Sequence, residues 1–183
     1  MNTTDKEKVA EKAIKETKIF DIFFPDNIGY KKITTKKMQL AGVDYEIYLP
    51  NGETVYIDLK TGIGPDYSMK PADFVEERRI IGRMPAVAVE LYQYDIFTNT
   101  KGKLTDYFLY YIQDNFGAAF YLFDYDTIRN VSVEHKKKVV IENGKGKEVI
   151  SGKYTPYTSF NGTGIYIKVP VEGFALKKFI LTK

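Results

Sequence analysis

The sequence predicts a mixed α/β (α+β) fold, in which a mixed β-sheet carries an N-terminal helix on one of its faces. Three observations support this prediction. Residues 43–49 and 55–59 alternate apolar and polar side chains around an Asn-Gly turn, as two paired strands do. Residues 4–7 form a helix-initiating motif before a charged segment, and residues 86–92 form an apolar run of strand length.

The first predicted element is a helix over residues 5–19. It begins with the capping box Thr4-Asp5-Lys6-Glu7, whose Thr and Glu side chains each accept a backbone N–H that a helix start leaves unpaired. Val9, Ala13 and Ile14 are spaced to lie on one side of this helix. We therefore expect the helix to cover the apolar face of the hairpin that follows it.

The second predicted element is a β-hairpin over residues 42–60. Its apolar residues alternate with polar ones: Val43, Tyr45, Ile47 and Leu49 in the first strand, and Val55, Ile57 and Leu59 in the second. The segment Pro50-Asn51-Gly52 suits a three-residue loop with glycine in the left-handed position. This loop length puts both apolar sets on one face, whereas a two-residue loop would place them on opposite faces. The resulting register pairs Glu46 with Tyr56 and Asp44 with Asp58.

The predicted pairing of Asp44 with Asp58 brings two like charges together, which destabilises a sheet unless a positive charge intervenes. Hard cations such as Mg²⁺ bind carboxylate oxygens, keep several waters and bridge to phosphate. Lys60 follows on the same face, where its ammonium group can position an attacking water or stabilise charge on a phosphoryl group. The hairpin therefore predicts a site for a hard cation such as Mg²⁺ at Asp44 and Asp58.

Further elements follow the hairpin in the chain. Residues 71–79 fit either a short helix or a flap near the site. Residues 86–92 read as a buried strand, in which Glu90 needs a partner: either the metal, as a third ligand, or an ion pair with Arg78, Arg79 or a lysine. We also expect strands at 105–112, 118–123 and 164–170, a helix at 125–131 and a hairpin tip at 142–147.

The composition is that of one folded domain, which we place at residues 1–183. Hydrophobic residues make up 44% of the chain, enough for a core, and no segment is apolar enough to span a membrane. The lack of cysteine excludes disulfides and thiolate chemistry, and the absence of an apolar leader predicts a cytoplasmic protein. His135 is the only histidine and has no neighbouring ligand residues, which excludes a His-based metal site. Because it lies beside three lysines, we expect it on the surface.

Basic residues cluster at three places, although the net charge of +3 is mild. The first cluster, before the hairpin, is Lys31, Lys32, Lys36 and Lys37. The second, after it, is Arg78, Arg79 and Arg83, and the third is Lys136-Lys137-Lys138. Such clusters can follow the phosphate backbone of a nucleic acid. As ordinary solvated charges they would only keep the protein soluble, and both interpretations are open, above all for the third cluster.

An acidic residue on one strand and Asp-x-Lys on the next resembles the PD-(D/E)xK phosphodiesterase superfamily, which has a restriction-endonuclease-like core. The match is to Asp44 and Asp58-Leu59-Lys60, although Val43 stands where the name-giving pattern has proline. More of the chain resembles one branch of small bacterial and phage proteins without a well-defined substrate. The segments that carry this likeness are Gln39-Leu40-Ala41-Gly42-Val43-Asp44, Asn51-Gly52, Val87-Ala88-Val89-Glu90-Leu91 and Leu104-Thr105-Asp106-Tyr107.

The resemblance implies a metal-dependent nuclease that hydrolyses phosphodiester bonds in DNA. Asp44 and Asp58, with the Leu59 carbonyl and Glu90, would hold Mg²⁺ or Mn²⁺, and Lys60 would be catalytic. The accessory candidates are Glu11, Glu16, Gln39 and Glu46; in the superfamily a helix before the first strand often supplies an extra acid. As surface charges, Glu11 and Glu16 need no such role.

Two other functions stay open at this point. The alternative is an inactive nuclease-fold protein that binds nucleic acid or serves as a structural subunit. An RNA-directed nuclease requires substrate tests, because no pattern in the chain reads a 2′-hydroxyl. The oligomeric state, a homodimer included, and the pathway are also open, with phage and mobile-element defence among the options.

Overall fold

The computed structural model describes residues 3–63, 86–93, 96–97, 103–113, 117–158 and 164–181. The segment 71–79, with Arg78 and Arg79, lies outside the described residues. Contacts divide the chain into two compact units. The first comprises Met1–Val87, Lys103–Tyr125 and Pro170–Lys183, and the second comprises Ala88–Gly102 and Asp126–Val169. A single domain over residues 1–183 stays a prediction.

The chain alternates helices and strands, and the predicted mixed α/β class is confirmed. The helices are α1 (Thr3–Thr17), α2 (Ile19–Phe23), α3 (Lys36–Leu40) and α4 (Tyr125–Val133). The strands are β1 (Gly29–Lys32), β2 (Tyr45–Tyr48), β3 (Thr54–Ile63), β4 (Ala86–Gln93), β5 (Ile96–Phe97), β6 (Tyr107–Gln113), β7 (Ala118–Asp124), β8 (Lys136–Glu142), β9 (Lys145–Ser151), β10 (Tyr157–Thr158), β11 (Gly164–Pro170) and β12 (Lys177–Leu181). The strands predicted at 86–92, 105–112, 118–123 and 164–170 correspond to β4, β6, β7 and β11. The helix predicted at 125–131 corresponds to α4. None of the described helices is long and apolar enough to cross a membrane.

A six-stranded mixed sheet forms the centre of the first unit, with strand order β1-β2-β3-β6-β7-β12. Strands β1, β2 and β3 form an antiparallel meander, and β6 runs parallel to β3. Strands β7 and β12 complete the sheet in antiparallel pairs. The predicted mixed sheet is therefore confirmed, and the Asp-x-Lys segment lies in β3, an interior strand with neighbours on both sides.

Helices α1 and α2 cover one face of this sheet, as predicted for the N-terminal helix. Ala10 and Ile14 of α1, with Phe20 of α2, are buried in one cluster with the hairpin residues Ile47 and Ile57. Full burial of an Ile or Phe side chain contributes about 1.5–3 kcal/mol, so this layer fixes α1 over the hairpin. The helix ends at Thr17, earlier than expected, because Lys18 adopts a left-handed conformation with φ 52°.

The hairpin has the predicted turn and register. The N–H of Leu49 donates to the Glu53 carbonyl (2.9 Å) and the N–H of Gly52 donates to the Leu49 carbonyl (3.0 Å). Gly52 has φ +84°, which a side chain would strain. Glu46 pairs with Tyr56, as the three-residue loop requires.

A β-bulge ends this register at Asp44. The N–H of Asp44 donates to the carbonyl of Ile57 (2.8 Å), and Ile57 is already paired with Tyr45. Two residues of one strand therefore face one residue of the other. The prediction that Asp44 pairs directly with Asp58 was wrong for this reason. Bulges re-aim side chains, and this one brings Asp44 beside the backbone of Leu59.

The second unit contains a four-stranded sheet ordered β10-β11-β4-β5 and a two-stranded ribbon of β8 and β9. His135, at the start of the ribbon, is only 2% exposed, so the prediction of a surface histidine was wrong. Its Nδ1 lies 2.9 Å from the Val131 carbonyl of α4, and its Nε2 lies 3.0 Å from the Tyr154 carbonyl. The three lysines after it are exposed, while the ring itself is held by backbone groups on both sides.

Candidate functional site

The candidate site is centred on the carboxylate of Asp58, which is only 3% exposed. Its Oδ1 lies 2.7 Å from Lys60 Nζ, and its Oδ2 lies 3.2 Å from Lys103 Nζ. Both ammonium groups also lie over the ring of Phe108, at 5.7 Å and 5.4 Å from its centroid. A buried carboxylate requires such pairing, because an unpaired charge in the interior is costly.

Lys103 is a member of this group that the sequence did not reveal. A Cβ at position 42 would come within 2.8 Å of Lys103 Cδ, so the stem of this lysine packs closely against Gly42. Its backbone N–H donates to the Tyr125 hydroxyl (3.2 Å), and the N–H of Leu104 donates to the Ala41 carbonyl (3.0 Å). Lys103 does directly precede the Leu-Thr-Asp-Tyr segment, but no spacing rule indicates that this segment folds against Gly42.

The Thr105-Asp106 pair holds that segment to the beginning of β3. Asp106 Oδ2 accepts the N–H of Tyr56 (2.8 Å), and the Asp106 N–H donates to the Tyr56 carbonyl (2.9 Å). The hydroxyl of Thr105 donates to the same carbonyl (3.1 Å). These bonds fix the chain directly after Lys103, whose ammonium group lies 3.2 Å from Asp58 Oδ2.

Asp44 binds the backbone of the Asp-x-Lys segment. Its Oδ2 accepts the N–H of Leu59 (2.8 Å), the residue between Asp58 and Lys60. Burial raises the pKa of Asp44, as do the negative charges of Asp58 and Glu7, while the Leu59 N–H and Lys60 lower it. Asp44 and Asp58 are therefore electrostatically coupled, although they are not paired across the strands.

An open concavity of about 320 Å³ adjoins Asp44 and is lined by Glu7, Glu11, Lys32, Gln39, Asp44, Tyr45 and Leu59. Glu11 is paired with Lys32, and Gln39 donates to the Ile33 carbonyl (3.2 Å). The structure thus brings two accessory candidates, Glu11 and Gln39, to the side of Asp44. It adds Glu7, the capping-box residue that lies one helical turn before Glu11.

Glu16 and Glu46 are not part of this group. Glu16 forms an exposed ion pair with Lys12 (3.6 Å), and Glu46 accepts a hydrogen bond from the Tyr48 hydroxyl (2.9 Å). Glu90 belongs to the second unit, where its carboxylate accepts a hydrogen bond from the Tyr166 hydroxyl (2.9 Å). Lys36 and Lys37 are exposed at the start of α3. Arg78 and Arg79 lie outside the described residues.

The donor types of this site fit a hard divalent cation. Asp44 and Asp58 supply the carboxylate oxygens that Mg²⁺ and Mn²⁺ prefer, whereas Glu7 and Glu11 line the concavity on the α1 side of the sheet. Within the part of the chain that the structure describes, no three acidic or imidazole side chains converge on one cation-sized position. Both oxygens of Asp58 are also held by ammonium groups. A cation at Asp58 would therefore compete with these two lysines for the carboxylate oxygens.

Comparisons with protein-family models, curated proteins and solved structures found no significant match to this chain.

Proposed function

We propose that this chain is a metal-dependent nuclease with a restriction-endonuclease-like core, and that it hydrolyses phosphodiester bonds in DNA. One observation carries the proposal: Asp44, Asp58 and Lys60 meet around the peptide of Leu59. Asp44 binds the Leu59 N–H at 2.8 Å, and the residues on either side of Leu59 are in contact at 2.7 Å. Two carboxylates that can hold a divalent cation, with an ammonium group beside them, are suited to metal-assisted hydrolysis.

The fold supports the same proposal. An interior strand holds its side chains more rigidly than a loop, because it is hydrogen-bonded on both sides, and precise positioning is what catalysis demands. β3 lies between β2 and β6, and α1 closes the apolar face behind it. Asp58 and Lys60 have the same parity along β3 and so lie on the face opposite Ile57.

In the proposed reaction, Asp44 and Asp58 would hold Mg²⁺ or Mn²⁺ together with the Leu59 carbonyl. When bound, the cation supplies a Lewis acid for a phosphoryl oxygen and lowers the pKa of a bound water. The ammonium group of Lys60, whose side chain is 39% exposed, is accessible to a phosphate and would stabilise the charge that builds there. A ligand role for Glu90 stays a prediction.

A cleavage assay tests this proposal. Duplex and single-stranded DNA are incubated with the protein in Mg²⁺ or Mn²⁺, and in EDTA. Asp58→Asn and Lys60→Met should each lower the cleavage rate by about 100-fold or more, as removal of one charge-stabilising group typically does. The matched control is Glu53→Gln, at the exposed turn of the same hairpin, which should keep wild-type activity. Full activity of Asp58→Asn, or equal cleavage in EDTA, would refute the proposal.

A second candidate function is supported by the two lysines on Asp58. With both carboxylate oxygens already paired, the fold could bind nucleic acid or serve as a subunit without cleaving anything. Calorimetric titration with Mn²⁺ separates the two functions. Heat that disappears in Asp44→Asn supports the nuclease, and the lack of any such heat supports the inactive protein.

A further inference from the structure

Strands β8 and β9 form an isolated antiparallel ribbon in the second unit. They are joined at Asn143 and Gly144, which have φ 52° and φ 75°, as the tight hairpin turns that match strand twist require. No other described strand pairs with the ribbon. Every residue of β8 is exposed, and so are the first four residues of β9.

The two faces of this ribbon differ in charge. Residues paired directly across antiparallel strands lie on the same face. One face carries the pairs Lys136–Ser151, Lys138–Val149, Val140–Lys147 and Glu142–Lys145. Its four lysines and one glutamate give a net charge of +3, which equals the net charge of the whole chain. We call this the basic face.

The opposite face is neutral. It carries the pairs Lys137–Ile150, Val139–Glu148 and Ile141–Gly146. Its single lysine, Lys137, lies 3.6 Å from the carboxylate of Glu148. The run Lys136-Lys137-Lys138 alone puts lysines on both faces of the ribbon. The net positive charge nevertheless lies on one face only.

The base of the ribbon is anchored. His135, just before β8, contacts the Val131 carbonyl and the backbone of Tyr154, which follows β9. A Cβ at Gly152 would lie 2.4 Å from the His135 ring, so the two ends of the ribbon approach as closely as glycine allows. An unsupported two-stranded ribbon is marginally stable in water, and this anchor holds its ends together while the strands stay exposed.

We propose that this ribbon is a DNA-binding arm whose basic face binds a B-form duplex across its major groove. The ribbon strands are about 4.8 Å apart and about 20 Å long, and the major groove, about 12 Å wide, admits a two-stranded β-ribbon. Its charge is complementary to the phosphates that border the groove. The deep, narrow major groove of A-form RNA does not admit such an arm.

The arm uses none of the residues of the proposed nuclease site, so the two proposals are independent. Fluorescence anisotropy of a labelled duplex, in EDTA and at several salt concentrations, measures binding without cleavage. The main variant replaces Lys136, Lys138, Lys145 and Lys147 with Gln. The matched control replaces Lys6, Lys8, Lys12 and Lys15 of α1 with Gln, which removes the same charge elsewhere.

The slope of log K against log salt changes by about 0.9 for each phosphate contact. We expect the arm variant to reduce the magnitude of this negative slope by about 3–4, and the α1 control to reduce it by less than about 1. The double variant Lys145→Gln/Lys147→Gln should lose about half as much as the arm variant, and circular dichroism checks that each variant is folded. A slope unchanged in the arm variant, or lowered equally in the α1 control, would overturn the proposal. Equally tight, lysine-dependent binding of duplex RNA would also overturn it.

The nuclease and the arm can fail separately. Asp58→Asn removes cleavage and should leave the salt slope intact. If cleavage is lost but the salt slope is retained, the proposed DNA-binding arm is still supported. If the salt slope does not depend on the ribbon lysines, the arm is refuted even when the protein cleaves DNA.

Discussion

Replacing Lys103 with methionine tests whether this lysine competes with a divalent cation for Asp58. Methionine keeps an unbranched stem against Gly42 and removes the ammonium group that lies 3.2 Å from Asp58 Oδ2. Two unit charges at this distance attract by about 1 kcal/mol in water and about 5 kcal/mol at an effective dielectric constant of 20. The Lys103 side chain is 21% exposed, so hydration screens part of this attraction. A net value of about 1.5–3 kcal/mol, usual for hydrogen bonds to charged groups, is the reasonable magnitude.

A cation that no longer has to displace Lys103 should bind Asp58 more tightly. Each 1.4 kcal/mol is a factor of ten, so the Kd for Mn²⁺ should fall by about 10- to 100-fold in Lys103→Met. Isothermal titration calorimetry at pH 7 measures this change. Lys12→Met is the matched control, because it removes an equal charge from an exposed ion pair on α1, and its Kd should change by less than about twofold. An equal or weaker affinity in Lys103→Met would refute this competition.

Two further predictions concern stability. Asp44→Asn keeps an acceptor for the Leu59 N–H and removes a carboxylate whose pKa is raised by burial and by the charges of Asp58 and Glu7. Because its folded-state pKa lies above the unfolded value, the ionised carboxylate destabilises the fold above that raised pKa, and this penalty is lost as the pH falls through it. The variant should therefore have a higher Tm than wild type at pH 7, and the difference should close below about pH 4; a lower Tm at pH 7 would contradict the reasoning. Gly152→Ala places a Cβ 2.4 Å from the buried His135 ring and should lower the free energy of unfolding by about 1–3 kcal/mol in chemical denaturation. Gly146→Ala, whose Cβ would lie 3.2 Å from Cγ1 of the exposed Val139, is the control, and equal stability of the two variants would show that the His135 anchor is not formed.

The hairpin was predictable because its determinants are local. Strand parity selects the apolar face, and the Pro-Asn-Gly loop selects the register that pairs Glu46 with Tyr56. The same parity places Asp58 and Lys60 together on one face. Each of these features depends on residues within one turn or one strand, so the pattern alone is sufficient.

The rest of the site depends on contacts between distant residues. If the strand register continued beyond Tyr45, Asp44 would pair with Asp58. The β-bulge at Asp44 interrupts this register, and no local sequence feature predicts the bulge. Lys103 reaches Asp58 across 45 positions of sequence. His135 has lysine neighbours typical of a surface, yet its hydrogen-bond partners lie 4 and 19 residues away. Such pairings are set by tertiary packing, which a periodic pattern does not record.

The most direct test of the proposed nuclease is an anomalous diffraction map from crystals grown with Mn²⁺. We expect a peak about 2.0–2.2 Å from oxygens of Asp44 and Asp58, with the ammonium group of Lys103 moved away from Asp58 Oδ2. A map from crystals at saturating Mn²⁺ with no peak at these carboxylates, and with Lys60 and Lys103 still bound to Asp58, would contradict the account.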